Sequence, residues 1–301
     1  MKRILTAVVL IPVVLLLVFK APLWLFALGV AGLIILTLRE YLDIVEAAGI
    51  KPFRWLTYAA SVLPIIVFLS SLWPSKALEF FYPELIAMRW SMLVPLLALV
   101  FGIPLVFRKD LREGYIAVAA SVFGVLYIGV SLSLLINLQR GIEITFLIFL
   151  LLSVWAGDIA AYYVGKNFGK HKLAPIVSPN KSWEGAVASI VASIAVAFLT
   201  MHFRPQLIGL VARMHGLSDK GLDGHLLPSI GLIPIICLGI ATNVAAQFGD
   251  LFESALKRGA GVKDSGTILP GHGGILDRID ALLFAIPVVW WYAQLAPFLR
   301  S

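Results

Sequence analysis

Residues 144–165 read ITFLIFLLLSVWAGDIAAYYVG, an apolar run in which Asp158 is the one charged side chain. A helix needs about 20 mostly apolar residues to cross the hydrocarbon core of a bilayer, so this stretch predicts a transmembrane helix. An ionisable group inside such a helix is costly and indicates a functional site by default. A structural Asp that hydrogen-bonds to a neighbouring helix remains a second interpretation of Asp158.

The rest of the chain has the same character. Of its 301 residues, 60% are hydrophobic and only 14% are charged, whereas soluble domains carry about 25% charged residues. Division of the sequence at charges and at Pro/Gly clusters predicts about nine transmembrane helices, so the expected fold is all-α, a polytopic integral membrane protein. The predicted segments are 4–19, 22–38, 55–73, 91–107, 115–138, 144–165, 183–203, 230–248 and 276–298.

No internal repeat and no long linker divides the sequence, which predicts a single membrane domain over 1–301. The residues that carry chemistry fall in 141–301, the predicted catalytic half, while 1–140 holds N-terminal spans whose role is not assigned. Segment 4–19 precedes no small-residue cleavage site, so it is interpreted as a retained span and not as a signal peptide.

The Lys and Arg residues indicate the orientation. When the loops are placed on alternate sides, about two thirds of the 24 basic residues share the side of the N-terminus, which predicts a cytoplasmic N-terminus. The formal net charge of +7 is spread over short loops. Such scatter is typical of membrane topology and anionic lipids, so no nucleic acid is expected as a partner. Cys237 is the only cysteine, which excludes disulfides within the chain and Cys-based metal sites.

A polar stretch at 39–46 reads REYLDIVE and separates the second and third spans. Its apolar residues recur at helical spacing opposite Glu40, Asp43 and Glu46. This pattern predicts an amphipathic helix in the membrane interface, with the three carboxylates in water.

Three further carboxylates are predicted at the same membrane face as Asp158. Asp250 ends the eighth segment, and Asp277 and Asp280 open the ninth on one helix face. Negative side chains suit a helix start, so capping is an alternative interpretation of Asp277 and Asp280, but the helix dipole disfavours Asp250 at a helix end. A bound cation would explain Asp250, and oxygen ligands without cysteine favour Mg²⁺ over zinc.

The connection between the eighth and ninth segments, residues 254–280, reads SALKRGAGVKDSGTILPGHGGILDRID. Basic side chains neutralise a polyphosphate, glycines let backbone amides approach it, and carboxylates hold a bridging metal ion. A loop that served topology alone would need the cations but not the glycines, the His or the carboxylates. The sequence therefore predicts a phosphate-binding site here.

A second candidate anion site lies at 178–185, which reads SPNKSWEG. Ser182 is placed to cap the following helix, whose first amides then lie beside Lys181. An ordinary cap with a snorkelling lysine is the simpler interpretation of this stretch taken alone.

The stretch 254–280 resembles the signature of the phosphatidate cytidylyltransferase family, and 158–162 and 178–185 are similar to further elements of that family. The resemblance implies a nucleotidyltransferase that condenses CTP with phosphatidic acid, giving CDP-diacylglycerol and pyrophosphate. It implies Mg²⁺ as cofactor, with room for a second cation. It also implies a multi-pass homodimer among membrane lipids, with the active site facing the cytoplasm. The compact chain lacks the long polar tails expected of a eukaryotic relative, which predicts a bacterial cytoplasmic (inner) membrane.

By motif position, the resemblance assigns the metal to Asp250 and Asp277, with Asp158, Asp280 and Lys263 completing the catalytic group. Roles in substrate binding are likewise implied for a set of basic, polar and glycine residues. These are Ser178, Lys181, Ser182, Glu184, Lys257, Arg258, His272, Gly273, Gly274 and Arg278.

Two other functions fit parts of the sequence. A CTP-dependent polyprenol or phytol kinase would transfer the terminal phosphate with related machinery, but the complete signature in 254–280 disfavours it. An ion-coupled secondary transporter would suit the intramembrane Asp158. Transporter sites lie near the midplane between internal repeats, whereas these polar residues gather at one face and no repeat is found.

Overall fold

Regular structure is almost entirely helical in the computed structural model, which describes residues 12–70, 95–139, 143–214, 230–268 and 273–296. The helices are a segment at 12–19 (α1), Leu23–Ala47 (α2), Arg54–Ser70 (α3), Pro95–Val106 (α4), Leu111–Gly124 (α5), Ser131–Leu138 (α6), Ile144–Phe168 (α7), Trp183–His202 (α8), Arg204–Met214 (α9), Leu232–Gly259 (α10) and Leu276–Leu295 (α11). A π-helix, Val125–Val130, continues α5 into α6. The helical class predicted from the sequence is confirmed.

Five helical stretches among the described residues are long and apolar enough to cross a membrane. Four of them are α2, α7, α8 and α10. The fifth is the continuous stretch Leu111–Leu138, which contains α5, the π-helix and α6. The chain is therefore a multi-pass membrane protein. Four of the nine predicted segments, 4–19, 55–73, 91–107 and 276–298, lie partly outside the described residues, so the number nine stays a prediction.

A short antiparallel hairpin departs from the all-α prediction. Strand β1, Lys172–Ala174, pairs with β2, Ser178–Ser182, which runs directly into α8. The predicted cap at the start of α8 is confirmed, because Ser182 Oγ accepts a hydrogen bond from Gly185 N at 3.2 Å. The strand pairing is not evident from the sequence, since Pro179 is a poor strand former.

The polar stretch at 39–46 is the last part of α2 and not a separate interfacial helix. Asp43 and Glu46 are exposed, and each binds Arg54 Nη1 at 2.8 Å. Glu40, however, is only 2% exposed, so the prediction that it faces water is wrong. Helical spacing shows which residues share a face but not which distant segment covers that face.

Helix α10 is longer than the predicted eighth segment, 230–248, and continues to Gly259. Asp250 therefore lies inside the helix, and the argument from the helix dipole for a cation at this residue is wrong. Lys257 and Arg258 belong to the last turn of the same helix. Hydropathy falls at these charged residues and ends the predicted segment, whereas the backbone hydrogen bonds continue past them.

Small residues let the helices that carry the charged residues pack closely. Helix α8 packs against both α7 and α10, and α10 packs against α11. Gly157 lies against Asn243 and Ser189, whose side chains are themselves joined by a hydrogen bond of 2.8 Å. Gly249 lies against the backbone of Asp280, where an added Cβ would be 2.5 Å from the carbonyl oxygen. Small residues at helix interfaces are typical of membrane proteins.

Replacement of Gly249 with Ala is expected to destabilise the protein, because the new Cβ would overlap the backbone of α11. Overpacking of this kind costs about 1–3 kcal/mol. The measurement is the thermal unfolding midpoint in detergent. Gly32→Ala on α2 is the matched control, since no described atom lies within 4 Å of its added Cβ. Equal midpoints for the two variants would contradict the close approach of α10 and α11.

Candidate active site

Charged side chains converge on a cavity of about 370 Å³ formed by α7, α10, α11 and the loop before α11. Its wall is largely polar. The charged and hydroxyl residues that line it are Asp158, Asp250, Glu253, Ser254, Lys257, Asp264, Asp277, Arg278 and Asp280. The four carboxylates expected from the sequence to meet, Asp158, Asp250, Asp277 and Asp280, thus line one cavity, and their roles in binding stay predictions.

A second cavity, of about 550 Å³, adjoins the first and shares Val154, Asp158 and Asp250 with it. Helices α7, α8 and α10 and the hairpin form its wall, which is largely apolar. Tyr162 contributes to this wall, and Lys181 gives it a charged corner. Two cavities of different character therefore meet at the two aspartates.

Lys181 joins the hairpin to α10. Its Nζ lies 2.5 Å from Asp250 Oδ2, and the two side chains stay 26% and 36% exposed. Both groups are therefore accessible to a ligand. An ammonium group has three donor hydrogens. Lys181 can therefore bind a phosphate oxygen either in place of Asp250 or together with it.

Lys257 lies between two carboxylates of the polar cavity. Its Nζ is 2.5 Å from Asp277 Oδ1 and 2.7 Å from Glu253 Oε2. The side chain of Glu253 is 1% exposed, and its Oε1 has no hydrogen-bond partner within the described ranges. A buried carboxylate oxygen without a donor is costly. A cation or a donor group of a ligand in the cavity would remove that cost.

Glu253 is a candidate site residue that the sequence analysis does not single out. It follows Asp250 by three residues and precedes Lys257 by four, so the three side chains share one face of α10. The spacing is visible in the sequence. Its meaning depends on the continuation of the helix past the apolar segment, which hydropathy does not predict.

Asp277 holds the loop before α11 in place. Besides Lys257, its carboxylate binds two backbone amides: Oδ2 accepts from Ser265 N at 3.1 Å and from Gly274 N at 2.8 Å. Gly273 has a φ of +78°, which favours glycine, and an added Cβ there would lie 2.6 Å from Asp277 Oδ2. The loop geometry itself therefore requires this glycine, and its contact with a nucleotide stays a prediction.

Several residues assigned to catalysis or to substrate binding are not part of either cavity wall. In the described part of the chain, the assigned residues that do not line either cavity are Ser178, Glu184, Arg258, Lys263, Gly273 and Gly274. Glu184 Oε1 lies 2.7 Å from His171 Nδ1, and its carboxylate accepts a hydrogen bond from His171 N, so it stabilises the turn before β1. Arg258 and Lys263 are exposed. His272 lies outside the described residues.

The residues that line the cavity would suit Mg²⁺, which needs few protein ligands, better than an ion that needs a complete set of protein ligands. Among the residues whose positions are described, no three His, Cys, Asp or Glu side chains form a ready metal site. Mg²⁺ is usually held by one or two carboxylates together with waters and substrate phosphates, so Asp250 and Asp277 would suffice. Each of them has a lysine nitrogen at 2.5 Å, and a bound cation would compete with that lysine.

Comparisons with known proteins point to one family. The sequence profile of the cytidylyltransferase family matches residues 1–296. The phosphatidate cytidylyltransferase of Haemophilus influenzae is 40% identical over 141 residues, 47% of this chain and 43% of that protein. That of Staphylococcus saprophyticus is 35% identical over 178 residues, 59% of this chain and 60% of that protein. That of Bacillus subtilis is 34% identical over 241 residues, 77% and 79% of the two chains. The first two alignments span less than two thirds of each relative.

Proposed function

Because the chain belongs to the cytidylyltransferase family, we propose that it transfers CMP from CTP to phosphatidic acid, giving CDP-diacylglycerol for phospholipid synthesis. Relatives named phosphatidate cytidylyltransferase support this reaction. The observation that carries the proposal is the polar cavity, in which Asp158 meets the charged residues of the 254–280 stretch inside an otherwise apolar helical protein. Basic and acidic groups gathered in this way suit a phosphate transfer between two anions.

The proposed reaction joins two negatively charged substrates. A phosphate oxygen of phosphatidic acid forms a bond to the α-phosphorus of CTP, and the bond from that phosphorus to the bridging oxygen breaks, so that pyrophosphate leaves. A phosphomonoester has a second pKa of about 6, so the attacking phosphate is largely ionised near neutral pH and needs no strong base. The site therefore has to orient the substrates and offset their repulsion.

Lysine side chains supply positive charge for this task. Lys181 and Lys257 are each held by a carboxylate at 2.5 Å, and in the proposal they turn toward phosphate oxygens when substrate binds. Arg278 lines the same cavity. Arg258 and Lys263 are exposed and are neighbours in sequence of residues that line the cavity. We propose that they bind the outer phosphates of CTP.

Mg²⁺ is the proposed cofactor. Asp250 and Asp277 would hold it, with Asp158 and Asp280 on the same cavity, and the bound ion supplies neutralisation and polarisation of the phosphates. Within the described part of the chain, Oε1 of Glu253 has no hydrogen-bond partner. This oxygen could bind a second cation.

The two adjoining cavities suit substrates of different polarity. The largely polar cavity suits the triphosphate of CTP, and the largely apolar one suits the lipid. Their meeting at Asp158 and Asp250 supports transfer at that point.

The placement of the protein is also part of the proposal. We propose about nine spans, a cytoplasmic N-terminus and an active site that faces the cytoplasm of a bacterium, in its inner membrane. The distribution of Lys and Arg supports the orientation, and the bacterial relatives support the membrane. Residues 1–301 would form one membrane domain with its catalytic half at 141–301, and the family resemblance supports a homodimer.

Position-specific labelling of CTP tests the reaction. Purified protein in mixed micelles with phosphatidic acid receives Mg²⁺ and CTP labelled at either the α- or the γ-phosphate. We expect the α-label in lipid and the γ-label in pyrophosphate, and loss of both signals when EDTA replaces Mg²⁺. The γ-label in lipid would instead identify a lipid kinase. Transfer of neither label by folded protein would contradict the proposal and leave the transporter interpretation.

A further inference from the structure

Glu40 is a buried carboxylate of the N-terminal half that contacts the loop before α11 and the start of that helix, outside the polar cavity. Its Oε2 accepts hydrogen bonds from Ser265 Oγ at 2.9 Å and from Leu276 N at 2.8 Å. Its Oε1 accepts one from Ile275 N at 3.0 Å. Helix α2 therefore binds the segment that leads into α11 through three hydrogen bonds to one side chain.

Two of these donors are backbone amides at the start of a helix. The first amides of a helix have no partner within it, and a negative charge beside them is favourable. Ile275, at the N-cap position of α11, provides no side-chain cap. Glu40 supplies this cap from another helix, so α2 and the start of α11 are joined by hydrogen bonds.

A short chain of contacts leads from Glu40 to Asp277. Ser265 Oγ donates to Glu40 and accepts a hydrogen bond from Asp277 N at 3.3 Å, while Ser265 N donates to Asp277 Oδ2 at 3.1 Å. The loop leaves room for this arrangement at two glycines. An added Cβ at Gly266 would lie 2.6 Å from Glu40 Oε1, and one at Gly274 would overlap the Glu40 carboxylate and Ser265 Oγ.

We propose that Glu40 is a positioning residue for the active site, an inference that rests on the proposed CMP transfer. Glu40 is not among the residues that line the polar cavity, so it acts through others. It fixes the first turn of α11, which carries Asp277, Arg278 and Asp280 into the cavity. A shift of about 1 Å in such groups lowers turnover by about 100-fold.

The test compares Glu40→Gln with Glu46→Gln. Gln has the size of Glu, but one of its two oxygens becomes an NH₂ group that would face an amide or hydroxyl donor and repel it. We expect Glu40→Gln to lower kcat for CMP transfer about 10- to 100-fold, with a smaller change in KM for phosphatidic acid. Glu46 lies on the same helix, is exposed and pairs only with Arg54 among the described contacts, so Glu46→Gln is expected to keep the wild-type kcat.

The kcat is expressed per folded enzyme and is measured below the unfolding midpoint of every variant. A residue that only stabilised the fold would leave the kcat of the folded enzyme unchanged. Wild-type kcat in folded Glu40→Gln would overturn the inference. If that variant does not fold, Ser265→Ala replaces it, since it removes only the hydroxyl link between Glu40 and Asp277, and an unchanged kcat again overturns the inference. Failure of the wild-type enzyme to transfer CMP would count against the proposed function instead.

Discussion

Asp277→Asn is expected to lower kcat for CMP transfer by about 100- to 1000-fold and also to destabilise the protein. The carboxylate is 8% exposed and binds Lys257, which is 12% exposed. The change leaves Lys257 with Glu253 as its remaining carboxylate partner, and disruption of a buried ion pair costs up to about 3–5 kcal/mol. The amide would also turn an NH₂ group toward Ser265 N or Gly274 N, which now donate to the carboxylate. The expected loss of kcat is the loss typically seen when one preorganised group that stabilises charge in the transition state is removed.

A double-mutant cycle measures how much of the loss of stability comes from the pairing of Asp277 with Lys257. If Asp277 and Lys257 act as a pair, Lys257→Met combined with Asp277→Asn will destabilise the protein by less than the sum of the single changes. Asp43→Asn is the control, because Asp43 is an exposed carboxylate that pairs with Arg54 on another surface. Retention of about a tenth of the wild-type kcat by folded Asp277→Asn would argue against its role as a metal ligand.

Asp250→Asn is expected to lower kcat by a similar factor, about 100- to 1000-fold, with little change in the unfolding midpoint. The side chain is 36% exposed, and its partner Lys181 is 26% exposed. Partly exposed ion pairs contribute little to stability, about 0–1 kcal/mol. The charge of Asp250 is instead expected to matter for the proposed cation, so the Mg²⁺ concentration for half-maximal activity should rise.

The contrast between the two aspartates is the informative result. Both variants are expected to lose turnover, but only Asp277→Asn is expected to lower the unfolding midpoint by several degrees. Kinetics at increasing Mg²⁺ and thermal unfolding in detergent provide the two measurements. A normal Mg²⁺ dependence in Asp250→Asn would remove that residue from the proposed metal site.

The sequence predicts much of this fold because a bilayer imposes strong rules on composition. Long apolar runs must form helices, and the runs that contain Asp158 and Cys237 do so in α7 and α10. Helix ends are less predictable, because hydropathy ends where charge begins while the hydrogen-bonded backbone of α10 continues to Gly259. The hairpin at 172–182 depends on pairing between segments, which residue preferences alone do not reveal.

The candidate site shows the same division. Asp250, Asp277 and Asp280 lie in or beside a stretch whose composition is unusual for a membrane loop, and together with Asp158 they line one cavity. Glu40 could not be predicted, because its partners are 225 to 236 residues further along the chain. The amphipathic pattern around Glu40 is equally compatible with a water-facing carboxylate, and only the packing of α2 against the loop distinguishes the two.

The long separation between Glu40 and its partners has a consequence for biosynthesis. Helix α2 leaves the ribosome early, whereas Ser265 and the start of α11 are among the later residues made, 225 or more positions further on. Throughout that interval the Glu40 carboxylate lacks these three donors, and α11 lacks its cap. If the proposed function holds, the candidate active site is therefore completed late in biogenesis, and we expect the nascent chain to stay inactive until α11 is in place.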